Sequence, residues 1–173
     1  MNMTPNEIAP HPSFLETLFA YQDQVSRVFK DVLGLYDISH IAIAHVNNQR
    51  ELLTFSSTPS IEFNLFSSNL WRFDKSYQAR WYRLCTLTPW QSLYTKAQFD
   101  ELYYLKQVKP QYPLGLSFAK ELTDYHVIFS IASHKNSQHT QELFMNQHEN
   151  FYKIGMYCSN LLLPITVSNF LSH

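Results

Sequence analysis

Two pairs of short apolar segments, each pair joined by a few turn-forming residues, constrain the fold of this chain more than any other feature. The first pair is ISHIAIAHV, which starts at Ile38, and ELLTF, which starts at Glu51, with the turn-prone residues 47–49 between them. The second pair is YPLGLSFAKEL and VIFSIAS, separated by residues 123–126. Alternating apolar segments that flank a turn are typical of β-hairpins, so the sequence predicts a largely antiparallel sheet.

Helical patterns precede and follow the two hairpins. Apolar residues recur at spacings of three and four over residues 14–32, and Gly34 supplies a helix stop. The same spacing recurs over about 138–163, and Pro164 is expected to end that last helix. We therefore expect one helix at each end of the domain.

The region between the hairpins is less regular. Thr58 before Pro59 predicts the start of a short helix, and a capping pattern predicts a longer helix over about 95–108. WYRLCTLT, residues 81–88, is interpreted as a strand. The complete order predicts an α+β fold in which helices flank an antiparallel sheet of about five strands, an α-β-α sandwich.

The length of 173 residues fits a single domain. Residues 1–12 contain three prolines and little apolar surface, which predicts a flexible N-terminal arm. The domain itself is expected over residues 13–163, and residues 164–173 are expected to form a C-terminal tail.

Charge and glycine content exclude several classes of function. A net charge of −1 provides no field that would attract a nucleic-acid backbone or an anionic membrane, so we expect no direct nucleic-acid binding. With three glycines, the chain has neither of the glycine-rich motifs that bind nucleotide phosphates. We expect no cofactor.

The two cysteines and the N-terminal sequence point to the cytoplasm. Cys85 and Cys158 form no C-x-x-C motif and fit reduced, buried thiols. The N-terminus has no apolar signal-peptide core, and no run of 18 apolar residues exists, so a membrane location is not expected.

Several stretches within residues 13–163 carry a resemblance to a known family: FKDVLGLY, ISHIAIAHV, STPSIEFNLFSSNLWRFDKSY, LTPW, and the paired segments GLSFAKEL and VIFSIAS before a long terminal helix. Their order resembles the PAS/GAF-like sensor fold, and more narrowly the N-terminal ligand-sensing domain of LuxR-type transcriptional regulators. The resemblance implies a pocket for a small molecule between the sheet and the central helices. Because the sequence ends at His173, soon after the last predicted helix, we expect the helix-turn-helix domain of that family to be missing.

The resemblance also implies particular pocket residues. The family's pocket Asp falls on Asp74 and its second Trp falls on Trp90, after Pro89. A Trp and a Tyr of the family's helix would fall on Ile61 and Leu65, which cannot offer hydrogen bonds to a lactone or an amide. This difference argues against an acyl-homoserine lactone as the ligand.

Aromatic residues surround Asp74 in the sequence, as expected of a mostly apolar pocket with a few polar groups. The resemblance, this aromatic cluster and the small residues of the predicted strands together give the predicted ligand-binding residues: Asp74, Trp90, Trp71, Tyr77, Tyr82 and Ser130. Small residues also lie along one face of three predicted strands, for example Ala42, Gly115 and Ser130. A face of small residues admits either a ligand or large aromatic side chains from a covering helix, and the sequence leaves both possibilities open.

The sequence offers little support for an enzyme or a metal site. His40 and His45 have opposite parity on a predicted strand, so they point to opposite faces and cannot share a metal easily. Cys158 lies on the apolar stripe of the last helix, where an inert thiol is expected. Asp74 is a candidate general base, but an ordinary surface ion pair with Lys75 or Arg72 explains it equally well. We expect no catalytic residues and no metal.

The function expected from the sequence is a non-enzymatic, cytoplasmic sensory or regulatory module. It would bind a small apolar or amphipathic ligand and would act in signalling or transcription regulation as a homodimer or with a regulatory protein partner. The alternative is a protein–protein interaction adaptor or effector of the same fold, with a core filled by its own side chains and no ligand.

Overall fold

The computed structural model describes residues 7–171, which form six strands: β1 (Ala9–Pro10), β2 (His40–Asn47), β3 (Glu51–Ser56), β4 (Leu87–Pro89), β5 (Leu114–Glu121) and β6 (Tyr125–Ser133). Within this part of the chain the strands make one sheet in the order β1-β3-β2-β6-β5-β4. All pairs are antiparallel except β1 with β3, which is parallel.

Both predicted hairpins are confirmed. β2 pairs with β3, β5 pairs with β6, and β2 and β6 join the two hairpins at the centre of the sheet. Ile43 lies opposite Phe55 on one side and Phe129 on the other, and Phe129 lies opposite Phe118. These four side chains therefore form an apolar row across one face, as the alternation in the sequence requires.

The sixth strand comes from residues that the sequence analysis assigned to a flexible arm. Ala9 and Pro10 pair with Glu51 and Leu52, and Ile8 is buried in the core. Burial of Ile8 gives this short segment a reason to lie along the sheet edge, and it adds a parallel pair to a sheet that was expected to be antiparallel. Residues 1–6 of the expected arm lie outside the described residues.

The described α-helices are α1 (Phe14–Phe19), α2 (Gln22–Lys30), α3 (Pro59–Ser67), α4 (Ala79–Tyr82), α5 (Trp90–Leu93), α6 (Phe99–Tyr103), α7 (Gln138–Asn146) and α8 (His148–Leu171). The predicted short helix after Thr58 is thus α3. The two end helices expected from the sequence are each divided into two, between α1 and α2 and between α7 and α8.

Pro164 does not end the last helix, contrary to the sequence prediction. It lies inside α8, and the residues that were expected to form a tail continue the helix to Leu171. Thr166 and Asn169 are buried beyond the proline, so tertiary packing holds the last turns in place. Within the described residues, α8 is long and apolar enough to cross a membrane by length and composition alone, and a third of its most apolar window is buried inside the fold.

The strand predicted over residues 81–88 is wrong. Trp81 and Tyr82 belong to α4, and β4 begins only at Leu87. Neither face of this segment is clearly polar, and periodicity alone does not distinguish a strand from a buried helix in such a segment. Cys85, expected to be buried, is exposed in the turn that follows α4.

The helix predicted over 95–108 exists as three joined pieces. A 3-10 turn over Lys96–Gln98 leads into α6, and α6 continues into a π-helical segment, Tyr104–Val108. The wider π-helical turn brings two consecutive polar residues, Lys106 and Gln107, into the interior.

Two hydrophobic cores lie on the two faces of the sheet. One core packs α2, α7 and α8 against Ile43, Phe118 and Phe129. The other packs α1 and the central helices α3–α6 against the face that carries Ala44 and Ala132. The α+β class with helices on both faces is confirmed.

A buried polar site between the sheet and the central helices

Small residues on the face beneath α3–α6 make room for Trp90. A Cβ atom added at Gly115 would lie 2.2 Å from the Trp90 ring, so the indole lies directly on the Gly115 backbone. Within this part of the face, the space above the small residues holds a large aromatic side chain, one of the two possibilities that the sequence left open.

Hydrogen bonds fix the edge of the Trp90 ring to the sheet. The indole N–H donates to the Ser117 hydroxyl at 3.0 Å, and the Ser117 and Ser130 hydroxyls are 2.9 Å apart. Two of the residues predicted from the sequence, Trp90 and Ser130, are therefore linked through Ser117.

Asp74 is completely buried and forms an internal ion pair. One carboxylate oxygen accepts hydrogen bonds from the Ser76 backbone N–H and hydroxyl, at 3.0 and 2.7 Å. The other lies 2.7 Å from the ammonium nitrogen of Lys106. The alternative of a surface ion pair with Lys75 or Arg72 is therefore wrong.

The ammonium group of Lys106 lies among aromatic rings as well as beside Asp74. It is 4.3 Å from the centre of the Trp90 ring and 5.4 Å from that of Tyr94. The Tyr94 hydroxyl donates to the side-chain oxygen of Gln107 at 2.8 Å. A carboxylate and two aromatic faces together stabilise a desolvated cation, so this interior is built to hold an ammonium group.

Glu62 brings a second carboxyl group into the same interior. It lies on α3 and is buried, and the Ser56 hydroxyl on β3 forms a hydrogen bond with its side chain. Its Oε2 atom has no hydrogen-bond partner within residues 7–171, and the same is true of the Thr54 hydroxyl on β3. Burial raises the pKa of Glu62 to about 7, although hydrogen bonds and the charge of Lys106 lower it.

His40 completes the polar lining at the start of β2. Its Nδ1 atom lies 2.9 Å from the Thr58 hydroxyl, which in turn lies 2.8 Å from the Tyr112 hydroxyl. Burial lowers the pKa of His40 to about 3, and the positive charge of Lys106 adds to this effect. His40 is therefore neutral at physiological pH.

The other predicted ligand-binding residues lie at different distances from this centre. Burial raises the pKa of Tyr77, and the nearby charges of Asp74 and Glu62 add to this effect. Phe66 lies between Tyr77 and Trp71: it packs against the Tyr77 ring on one side and stacks on the Trp71 ring on the other, with the Phe66 and Trp71 ring centres 5.1 Å apart. Tyr82 packs against His126, with ring centres 4.9 Å apart.

The sequence analysis did not identify Lys106 and Glu62, but a signal for each was present. Lys106 follows Phe99, Leu102 and Tyr103 at helical spacing, which places it on the apolar face of the predicted 95–108 helix. Glu62 similarly lies between the inward residues Ile61 and Leu65 of α3. A charged residue inside an apolar stripe indicates a buried ionic group.

His45 and Cys158, which the sequence analysis considered for metal binding and nucleophilic chemistry, lie on the other face of the sheet. His45 points away from His40, as predicted, and contacts Thr166 at 2.6 Å and Ser159 at 2.9 Å on α8. Cys158 is buried, and burial raises its pKa to about 12, which opposes a reactive thiolate. Within residues 7–171 no group of three or more His, Cys, Asp and Glu residues is placed to hold a metal ion.

Comparison with solved structures supports the fold. The VqsR LBD domain from Pseudomonas aeruginosa matches with a TM-score of 0.51 and 13% sequence identity, over 87% of this chain and 99% of that chain. Escherichia coli SdiA matches with a TM-score of 0.50 and 8% identity, over 82% of this chain and 62% of that chain. No protein-family model and no curated protein sequence matches the chain.

Both matches are to LuxR-type proteins, and at these identities they show that the chain shares the fold of the VqsR LBD domain and of the matched part of SdiA. The predicted resemblance is therefore confirmed at the level of the fold. This chain spans less than two thirds of the SdiA chain.

Proposed function

We propose that this protein is a non-enzymatic sensory or regulatory module that binds a small molecule between the sheet and the helices of residues 58–108. The observation that carries this proposal is that Glu62 Oε2 and Thr54 Oγ1 are buried without a hydrogen-bond partner; they are two of four such atoms within residues 7–171, and the others belong to Thr95 and His126. Buried polar groups are normally hydrogen-bonded, so two unpaired atoms on one side of the interior indicate that something bound there completes them.

The proposed ligand is apolar or amphipathic, with its polar end near Asp74 and Trp90. In this proposal Tyr77 and Ser130 also contact the ligand, and Trp71 and Tyr82 lie further from it. Because Lys106 already neutralises Asp74, a ligand must either displace the ammonium group or bind beside it. The second arrangement retains the ion pair and requires no buried charge to be left alone.

A groove of about 220 Å³ lies between α3 and the π-helical segment, and its walls include Thr58 and Ile61 on one side and Leu105 on the other. Glu62 and Lys106 follow Ile61 and Leu105 in the sequence but are buried beneath the groove. The proposal therefore requires α3 and the π-helical segment to separate before a ligand reaches the two charged groups. Ligand-coupled ordering of this region is the proposed signal, which changes the affinity for a second copy or for a cytoplasmic protein partner.

The alternative function is a protein–protein interaction adaptor with a filled core. It is favoured by the direct contacts of Trp90 and Lys106 in the interior, and by apolar side chains exposed along α8, namely Tyr157, Leu161, Val167 and Leu171.

Native mass spectrometry of protein purified from its own source distinguishes the two functions. We expect a mass above that of the polypeptide, with the excess lost on denaturation. If the mass equals that of the bare chain, and thermal stability does not change with amphipathic compounds, the adaptor is the better explanation.

A further inference from the structure

The interior beneath α3–α6 contains one more acid than base. Within residues 7–171, the buried Asp, Glu, Lys and Arg side chains are Glu62, Asp74 and Lys106. Asp74 and Lys106 neutralise each other at 2.7 Å, and His40 is neutral. Glu62 therefore lacks a counter-charge of its own.

The same interior shows how it accommodates a cation. The Lys106 ammonium group is held by one carboxylate and the faces of Trp90 and Tyr94. The surroundings of Glu62 are similar, since Tyr77 lies close to its carboxylate, and Tyr77 packs on Phe66 with ring centres 5.4 Å apart. A second buried carboxyl group beside aromatic rings, whose nearest lysine is already paired with Asp74, is suited to an ammonium group from outside the chain.

The position of the unpaired atoms supports a built site. The Ser56 hydroxyl and the Glu62 backbone form hydrogen bonds with the Glu62 carboxyl group, and Oε2 has no hydrogen-bond partner within residues 7–171. Thr54 lies two residues before Ser56, on the same face of β3, and its hydroxyl is also unpaired. Both residues are at least 97% buried, so bulk water does not pair these atoms.

We propose that Glu62 and Thr54 form a subsite for the primary ammonium group of a small ligand with an apolar body. This inference rests on the proposed function and specifies the class of its ligand. Glu62 supplies the charge, and the Thr54 hydroxyl accepts a further hydrogen bond from the same group or from its neighbour in the ligand.

The test compares three compounds of equal chain length: n-hexylamine, 1-hexanol and hexanoate. Binding to the full chain is measured by calorimetry between pH 5.5 and 8. We expect the amine to bind at least tenfold more tightly than the alcohol at pH 7.5, and hexanoate to bind most weakly. Below pH 7 the affinity for the amine falls by about tenfold per pH unit, because the Glu62 carboxyl must lose its proton before it pairs with the cation.

Variants assign this effect to the subsite. Glu62→Gln is expected to lower the affinity for the amine at least tenfold and to abolish its pH dependence. Thr54→Val lowers the affinity but leaves the pH dependence intact. Glu149→Gln, which alters a carboxylate that is 85% exposed on α8, changes neither property.

The pH dependence of the affinity for the amine is assigned to Glu62 only if the other charged and titratable groups that face Glu62 do not cause that dependence. These groups are Asp74, Tyr77, Lys106 and Tyr112, with His40 beside Lys106. The Glu62→Gln variant retains all of them, so a pH dependence that survives in this variant overturns the proposal.

Two further results separate the failure of this inference from that of the proposed function. If the alcohol binds as tightly as the amine, or if none of the three compounds binds while a neutral molecule co-purifies with the protein, the amine subsite is wrong and the sensory function stands. If none of the compounds binds and the purified protein carries no small molecule, both are wrong. Ordered water bridging Glu62 and Thr54 in crystals soaked with n-hexylamine also overturns the subsite.

Discussion

Lys106 places an ammonium group where the sheet and the central helices exclude solvent. Its side chain is 5% exposed, and its partner Asp74 is not exposed at all. Removing two charges from water costs several kcal/mol, so the ion pair adds little net stability while each charge depends strongly on the other. The pair therefore fixes the arrangement of the site rather than strengthening the whole fold.

Lys106→Met is expected to lower the free energy of unfolding by about 3–5 kcal/mol, because Asp74 is left buried without its partner. Urea denaturation followed by tryptophan fluorescence measures this loss. The double variant Lys106→Met with Asp74→Asn should recover most of it. Lys153→Met, which breaks an ion pair exposed on α8, is the matched control, with an expected loss below about 0.5 kcal/mol. A loss below 1 kcal/mol in Lys106→Met would contradict a buried, coupled pair.

Gly115 is the residue that lets Trp90 lie on the sheet. Gly115→Ala is expected to destabilise the protein by about 1–3 kcal/mol, since the added methyl group would meet the indole ring at 2.2 Å. In a Trp90→Leu background the same substitution should cost much less, because the ring that it meets is absent. Thermal denaturation of the four proteins tests this, and equal costs in both backgrounds would show that Trp90 lies elsewhere.

At the scale of elements, α8 is held to the sheet by polar as well as apolar contacts. The ring of His45, on β2, lies between the Ser159 and Thr166 hydroxyls of α8. Thr166 follows Pro164 by two residues, so this contact fixes the part of the helix that lies beyond the proline.

Thr166→Val is expected to lower the free energy of unfolding by about 1–3 kcal/mol, because one nitrogen of a buried imidazole loses its hydrogen bond. Val167→Ala is the control on the same helix turn, since Val167 is exposed, and its effect should lie within about 0.5 kcal/mol. Chemical denaturation of both variants provides the comparison. Equal effects would mean that the end of α8 is not anchored through His45.

The hairpins were predictable from the sequence because each strand alternates and each turn is short, so local pattern and sheet pairing agree. The helix α4 and the continuation of α8 past Pro164 were not predictable. Burial of Trp81 and Tyr82 and packing of the last turns of α8 depend on residues that are distant in the sequence. Tertiary context overrides local propensity in both cases.

The candidate site was predicted only in part. Asp74, Trp90 and Ser130 were identified through the resemblance and the row of small residues, and the structure places Trp90 and Ser130 around Ser117. Lys106 and Glu62 were missed because an isolated charge on a helix is usually solvated, although their positions on the apolar faces of two predicted helices were a signal of burial.

For the whole molecule, three buried groups couple stability to pH. His40 and His45 have pKa values of about 3 in the folded chain, so the unfolded chain binds their protons first and stability falls as the pH decreases from 6.5 towards 3. The pKa of Glu62 is raised to about 7, so its contribution is present at low pH and is lost as the pH rises from 4.5 through 7. The two effects oppose each other between pH 4.5 and 6.5.

Variants separate these contributions. Between pH 4.5 and 6.5, Glu62→Gln should make stability rise with pH more steeply than in the parent protein, by about 1.4 kcal/mol per pH unit. His45→Gln should make the rise shallower by a similar amount, since it removes one group that is protonated only on unfolding. Urea denaturation at several pH values measures these slopes. Slopes that are unchanged in both variants would show that neither group titrates differently in the folded chain.

The central claim is that the interior between α3 and β3 is a binding site. A high-resolution crystal structure of the protein as purified from its own source tests it most directly. We expect electron density for a small molecule in contact with Glu62 Oε2 and the Thr54 hydroxyl, and with Asp74 and Lys106 still paired. An interior in which these two atoms are bridged by water, or contact only side chains of the protein, would contradict the claim.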